Sequence, residues 1–214
     1  MTEVPATVLA DRAWLREDLR RSATLYGRAG DRVLGTIRWY SASSMLVAPA
    51  LEPWVHTGVA RDPALDAVVL DVHGDGRILD ARSVRTLEGG LAALADAFAT
   101  ALGAVVTAMA EVSGASERSL WAIAADSIGN RLLWAGTALG RGDEAVRLAG
   151  ELGEAVAAAG APMPRPLFTD VGGTPVVRRT SCCLIYEIPG GQKCTSCPKQ
   201  TPAERTRRLR NLLG

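Results

Sequence analysis

All four cysteines of the chain lie in one short stretch, at positions Cys182, Cys183, Cys194 and Cys197. Thiolates are soft ligands that select zinc, Cu(I) or iron–sulfur clusters. Cys194 and Cys197 form a Cys-x-x-Cys pair, which can chelate one metal ion from a single tight turn. The stretch therefore indicates a metal or redox centre, and a zinc site, an iron–sulfur cluster and a dithiol couple are all open.

The vicinal pair Cys182-Cys183 separates these candidates. A zinc ribbon is normally built from two similar Cys-x2–4-Cys knuckles, and this sequence contains one. Neighbouring residues of an extended chain point to opposite faces, so two adjacent thiolates reach one ion only if the backbone kinks between them. A two-iron cluster takes two thiolates on each iron and relaxes that demand. The intervening Ile-Pro-Gly-Gly-Gln at 188–192 predicts a turn that brings the two pairs together.

The spacing Cys-Cys-x10-Cys-x2-Cys, with two arginines before it and a proline after it, resembles the C-terminal signature of the FhuF-type ferric siderophore reductases. The residues that carry the resemblance are Arg178, Arg179, Cys182, Cys183, Leu184, Tyr186, Cys194, Cys197 and Pro198. The close match covers about residues 178–198, and the remaining chain resembles the family only diffusely.

The resemblance implies a [2Fe–2S] cluster on the four cysteines and one-electron reduction of siderophore-bound Fe(III), which releases Fe(II) in the cytoplasm. It implies a ferric siderophore as substrate, with the hydroxamate type as a candidate, and no catalytic residue beyond the cluster. No Gly-x-Gly-x-x-Gly follows a strand, so a separate donor such as a ferredoxin or reductase must supply electrons. The alternative is a non-enzymatic binding module in which the four thiolates hold a structural zinc ion.

Two further groups of side chains are candidates for the site. Cations stabilise a cluster that gains negative charge on reduction, and hydrogen bonds tune its potential. The candidates beside the cysteines are Arg178, Arg179, Tyr186 and Lys193. Trp121 and Trp134 are candidates to line a pocket for a bulky chelate, although tryptophan at helical spacing more often belongs to a core.

Composition and charge narrow the class of protein. The 214 residues are 48% hydrophobic with a net charge of +1, which is typical of a globular protein and not of a nucleic-acid binder. The N-terminus lacks the apolar run of a secretory signal, and the apolar stretch between Asp96 and Glu111 is short for a membrane span. We therefore expect a cytoplasmic protein with no integral membrane segment.

Apolar periodicity predicts helices over residues 11–27, 87–112, 120–134 and 143–160, and Asp143 is expected to cap the last of them. The Thr-Pro-Ala-Glu at 201–204 matches a capping box and predicts a short tail helix with its leucines inward. Asp75-Gly76 predicts a hairpin over residues 66–82, and residues 167–179 are expected to be extended. Residues 34–47 fit either a helix or a strand, which Pro49 and Pro53 are expected to end.

Three prolines at 162–166 mark the boundary in this organisation. We predict an α+β fold with a substrate-binding body over residues 1–161, mainly helical with a small antiparallel β element. A cysteine-bearing [2Fe–2S] appendage follows over residues 162–214.

Overall fold

A computed structural model describes residues 1–213, and their secondary structure is dominated by α-helix. The helices are α1 (Arg12–Tyr26), α2 (Asp31–Thr57), α3 (Gly90–Ser113), α4 (Glu117–Ala138), α5 (Gly142–Ala158) and α6 (Pro202–Leu213). The strands are β1 (Thr2–Pro5), β2 (Val68–Val72), β3 (Ile78–Ser83), β4 (Phe168–Val171) and β5 (Thr174–Val177). The predicted α+β class, with its helical body, small antiparallel sheets and C-terminal cysteines, is confirmed.

Helix α4 lies at the centre of the helical layer. Every residue from 120 to 129 is buried, because α2, α3 and α5 all pack against it. Ser43 of α2 and Ser127 of α4 join their hydroxyls at 2.8 Å inside this contact. An aspartate, Asp126, lies in the same buried stretch. The central helix therefore holds buried polar side chains within an otherwise apolar core.

Helix α3 is long and apolar enough to cross a membrane by length and composition alone. The expectation that this stretch is too short was wrong, because the helix extends beyond Asp96 and Glu111 to 24 residues. Its large side chains nevertheless fill the core of the fold: Phe98 and Leu102 are fully buried. Packing against neighbouring helices therefore covers part of the apolar surface of α3.

Helix α2 runs through Pro49 and Pro53, contrary to the prediction that they end it. Each proline removes a backbone hydrogen bond and strains the preceding turn. Burial on several sides, including fully buried Trp39 and Leu51, opposes that cost and explains why the segment shows no clean period. The helix ends at Gly58, whose φ of 77° is the left-handed cap that glycine permits.

The predicted hairpin forms as β2 and β3, and residues 2–5 add a third antiparallel strand, giving the order β1-β2-β3. Strand β1 was not predicted. After the proline connector, β4 and β5 form a second hairpin across Gly172 and Gly173. Pro166 packs closely against Gly153 of α5 and Gly129 of α4, so the connector lies on the helical core.

The last two helices differ in detail from the predictions. Asp143 lies in the first turn of α5, and the N-cap position belongs to Arg141. In α6, Thr201 Oγ1 accepts from the Glu204 backbone, as the capping box predicts. Leu209 is buried, whereas Leu212 and Leu213 are exposed because no other described residue covers that end of the helix.

Candidate metal centre

The cysteines follow β5 and pack on α2. Cys182, Cys197 and Leu184 form a small apolar cluster with Val33 and Ile37, separate from the main core. The Sγ atoms of Cys182 and Cys197 are 3.6 Å apart, and all four cysteines are free thiols. Two thiolates that share one tetrahedral metal at about 2.3 Å lie roughly 3.7 Å apart, so this separation suits a shared metal atom.

The backbone turns sharply immediately after the vicinal pair. Among residues 1–213, Leu184 is the one non-glycine residue with a positive φ, at 62°. A left-handed leucine costs about 1–2 kcal/mol. In return its N–H points at Cys182 Sγ, 3.4 Å away. Strain at such a position is typical of functional sites, where the surrounding structure holds it in place.

The predicted turn between the two pairs requires glycine. A Cβ on Gly191 would lie 2.1 Å from the carbonyl oxygen of Ile185, closer than any real contact. Gly190 has a φ of 73°, which glycine adopts freely. The turn therefore closes by direct approach of two backbone segments.

The Cys194–Cys197 knuckle is held by one side chain. Cys197 N donates to Cys194 O at 3.0 Å, which closes the turn. Gln200 Nε2 donates to the carbonyl oxygens of Cys194 and Thr195 at 2.6 and 3.2 Å. This glutamine is buried, and its position after the motif gave no sequence signal of its role.

Arg179 is the cation at the centre of the site. It is 4% exposed, and its Nη1 donates to Cys194 Sγ at 3.4 Å and to Cys183 Sγ at 3.7 Å. The guanidinium lies over the ring of Tyr40, 4.4 Å from its centroid. Its Nε is 3.5 Å from Asp126 Oδ2. The interpretation of Arg179 as a cation beside the cysteines agrees with this placement.

Asp126 supplies the counter-charge from the middle of α4. Its carboxylate accepts from Thr180 N and Thr180 Oγ1 at 3.3 and 3.4 Å. Burial raises its pKa to about 6, although Arg179 acts in the opposite direction. Burial also disfavours the charge of Arg179, but Tyr40 and Cys183 raise its pKa above the ordinary value. The sequence signal for Asp126 was a single carboxylate within an apolar helical run, which our sequence interpretation passed over.

The thiols of Cys182, Cys183 and Cys194 lie close enough together to shift one another's pKa values. Hydrogen bonding to Cys183 raises the pKa of Cys182 and of Cys194, and the same contacts lower the pKa of Cys183. Like charges this close do not ionise together without added positive charge. A metal centre that binds four thiolates supplies that charge, so the donor set suits one.

Arg179 also has a buried hydrogen-bond donor that lacks an acceptor in the described part of the chain. Its Nη2 is buried and has no hydrogen-bond partner within residues 1–213. Buried donors in native proteins are normally satisfied. The inorganic sulfides of a two-iron cluster accept hydrogen bonds, whereas a zinc ion does not. The residues present therefore fit a [2Fe–2S] cluster.

The remaining candidates beside the cysteines lie farther out. Arg178 is exposed, because successive side chains of an extended segment alternate and Arg179 takes the inward position. Tyr186 donates to Glu187 Oε1 at 2.9 Å, and Lys193 donates to the carbonyl of Lys199 at 3.0 Å. None of these three side chains has a described hydrogen bond to a cysteine sulfur.

A cavity of about 520 Å³ opens beside two of the sulfurs. The residues that line it are Tyr26, Ile37, Tyr40, Ser41, Ser44, Met45, Ser127, Asn130, Arg131, Trp134, Arg179, Cys183, Ile185 and Cys194. Arg131 pairs with Glu52 at 2.9 Å and lies 5.3 Å over the Trp134 ring. Trp134 is 57% exposed, so its indole forms an open rim of the cavity.

Trp121 does not share this cavity, which corrects the prediction that it lines a pocket with Trp134. It is 4% exposed and packs near Gly103 of α3. Thirteen residues separate the two tryptophans, which places them about 140° apart around α4. Helical spacing therefore sends one indole into the core and the other to the rim.

The four thiols, the buried guanidinium and the adjoining cavity define an iron–sulfur redox segment. Comparison with known families agrees, since the model of the FhuF 2Fe-2S C-terminal domain matches residues 179–199, which contain all four cysteines. No curated protein matches the chain. The resemblance is confirmed over residues 179–199, which match a [2Fe–2S]-binding domain of the FhuF type.

Proposed function

We propose that the protein is a ferric siderophore reductase of the cytoplasm, which transfers one electron to chelated Fe(III) and so releases Fe(II). The observation that carries the proposal is the shared wall between the cysteines and the cavity: Cys183 and Cys194 both line it. A volume of about 520 Å³ lies within the range of small-molecule sites. A bulky chelate bound there contacts the cluster ligands directly.

The proposal assigns Cys182, Cys183, Cys194 and Cys197 as the four cluster ligands. When bound, the cluster supplies one electron at a time, which is the chemistry that ferric chelates require. The Arg179 guanidinium stabilises added negative charge on the sulfurs of Cys183 and Cys194, and its pairing with Asp126 holds it in place. No side chain needs to move a proton in this step.

The cavity wall supports binding of a chelate with little net charge. Arg131 is paired with Glu52, and Asp126 offsets part of the charge of Arg179. Trp134 and Tyr40 provide rigid aromatic contact, while serine hydroxyls of α2 and α4 offer hydrogen bonds to chelating oxygens. A ferric trihydroxamate, which is neutral and rich in oxygen acceptors, fits this lining.

Release follows from the chemistry of iron. Hard oxygen ligands hold Fe(III) tightly and hold Fe(II), with its lower charge, much less strongly. The protein therefore has to bring the chelate against its sulfurs, bind it there and then let the ferrous complex leave. Electrons reach the protein from a separate donor, such as a ferredoxin or a reductase.

The test begins with anaerobically purified protein, on which iron, sulfide and zinc are quantified beside a visible spectrum. We expect two irons and two sulfides per chain and absorption that bleaches with dithionite. The reduced protein, freed of dithionite, is then mixed with a ferric trihydroxamate, and Fe(II) is trapped by a ferrous-specific chelator. One Fe(II) per cluster is expected, whereas a colourless protein with one zinc would refute the proposal.

A further inference from the structure

Positive charge is concentrated around the cysteines. Residues 178–214 contain eight Lys and Arg against two Asp and Glu, and residues 1–177 contain sixteen against twenty-one. The near-neutral chain is therefore a basic cysteine segment on an acidic body. Such an asymmetry creates a local positive potential that the net charge of +1 conceals.

Lys193 and Lys199 flank the Cys194–Cys197 knuckle, and we call these two residues together with Arg205 and Arg208 of α6 the basic surface; Arg208 also pairs with Glu204 at 2.6 Å. Lys193 Nζ donates to the carbonyl of Lys199 at 3.0 Å, and Arg208 Nη1 donates to the carbonyl of Lys193 at 3.1 Å. Arg205 precedes Arg208 by three residues, so both lie on the same face of α6. Glu204 is the one acidic residue between positions 188 and 214.

The basic surface borders a second opening to the cysteines. A polar cavity of about 490 Å³ is lined by Cys182, Lys199, Arg32 and Thr180. The aromatic cavity instead reaches Cys183 and Cys194, on the side of Tyr40 and Trp134. The centre is thus approached from two sides, of which one is aromatic and suits a chelate and the other is polar and adjoins the basic surface.

We propose that the basic surface docks an acidic one-electron donor protein. This inference rests on the proposed function, since it supplies the electron that the chelate consumes. In the step, the donor is oxidised by one electron and the cluster is reduced by one, with no bond made or broken and no proton transferred. Docking at this surface leaves the aromatic cavity free, so donor and chelate bind without competition.

Charge complementarity of this kind acts mainly on the rate of association. Steering by opposite charges raises association rates by about 10- to 1000-fold and weakens steeply as salt rises. For wild-type protein we expect the rate constant for reduction by a prereduced, strongly acidic ferredoxin to fall at least about tenfold between roughly 10 and 300 mM ionic strength. Reduction by the small cation methyl viologen radical is expected to show no such fall.

The test compares Arg205→Glu/Arg208→Glu with the matched control Arg77→Glu/Arg147→Glu, which makes the same charge change at exposed positions on β-hairpin and α5 surfaces. Cluster content and helical circular dichroism are checked first. At low salt we expect the first variant to react at least about tenfold more slowly with reduced ferredoxin and the control to stay within about twofold. Affinity for oxidised ferredoxin, measured by calorimetric titration, is expected to fall in parallel.

A salt-independent reaction of wild-type protein, or equal losses in both variants, would overturn the docking proposal. If reversal of charge beside Glu204 unfolds α6, the salt dependence of the wild-type protein still tests the docking proposal. The variant Arg205→Gln/Arg208→Gln removes the two charges without reversing them, and a smaller loss of rate is expected for it. Failure of the proposed function is seen separately. It would leave ferredoxin binding intact but give no Fe(II) from a ferric chelate mixed with prereduced protein.

Discussion

Replacing Arg179 with glutamine is the sharpest test of the electrostatics of the site. The substitution removes the buried cation that donates to Cys183 and Cys194 and leaves Asp126 without its partner. Because the guanidinium favours the more negative, reduced state, its loss is expected to lower the midpoint potential. Breaking a buried ion pair also costs about 3–5 kcal/mol of folding free energy, so stability is expected to fall.

The size of the shift follows from the distances. A unit charge about 4 Å from another contributes roughly 4 kcal/mol at an effective dielectric constant near 20. The added electron spreads over the cluster and Asp126 offsets part of the guanidinium charge, so we take about half, or roughly 2 kcal/mol. For a one-electron couple this corresponds to a decrease of about 90 mV.

The assay is an anaerobic redox titration followed by visible absorption. Arg178→Gln is the matched control, since it removes the same charge one residue away from an exposed side chain, and its shift is expected to stay under about 20 mV because solvent screens it. Arg179→Lys keeps the charge without the planar fork and is expected to lower the potential by less than Arg179→Gln. An increase in potential for Arg179→Gln, or equal shifts at both arginines, would refute the reasoning.

Three further substitutions test other parts of the site. Asp126→Asn is expected to raise the midpoint potential, because Arg179 then acts without its counter-charge; a decrease in the same titration would contradict this. Gly191→Ala is expected to lose more than half of the bound iron, since its Cβ collides with backbone 2.1 Å away, whereas Gly30→Ala, with no atom within 4 Å, should retain the wild-type iron content. Trp134→Ala is expected to raise KM for a ferric chelate about tenfold through lost aromatic contact, with little change in unfolding because the indole is 57% exposed; an unchanged KM would exclude it from the binding site.

Local patterns predicted the parts of the fold that depend on local spacing. The periodicity of α3 and α5 and the Asp75-Gly76 turn were sufficient because each element has one face in the core. Helix α2 is buried on several sides and contains two prolines, so neither its period nor its length was readable. Strand β1 is mostly exposed and therefore lacks the alternation that marks a half-buried strand.

The candidate site likewise has parts that the sequence predicted and parts that only packing determines. The four cysteines and Arg179 lie in one short segment, and their spacing alone was enough to predict a metal centre. Asp126 and Tyr40 come from α4 and α2, more than fifty residues away, and only packing brings them to Arg179. Trp121 and Trp134 shared one pattern, and the rotation of α4 separated them.

The Arg179–Asp126 pair also links the visible absorption of the cluster to the folding of the helical core. One charge belongs to the cysteine segment and the other to the central helix, and detaching the segment would break this pair and the hydrogen bonds from Thr180 to Asp126. Because breaking a buried ion pair costs about 3–5 kcal/mol, melting of the segment and melting of the helical layer favour each other. We expect heating to release iron and unfold the helices in one cooperative transition, so that visible absorption reports the folding of the entire chain.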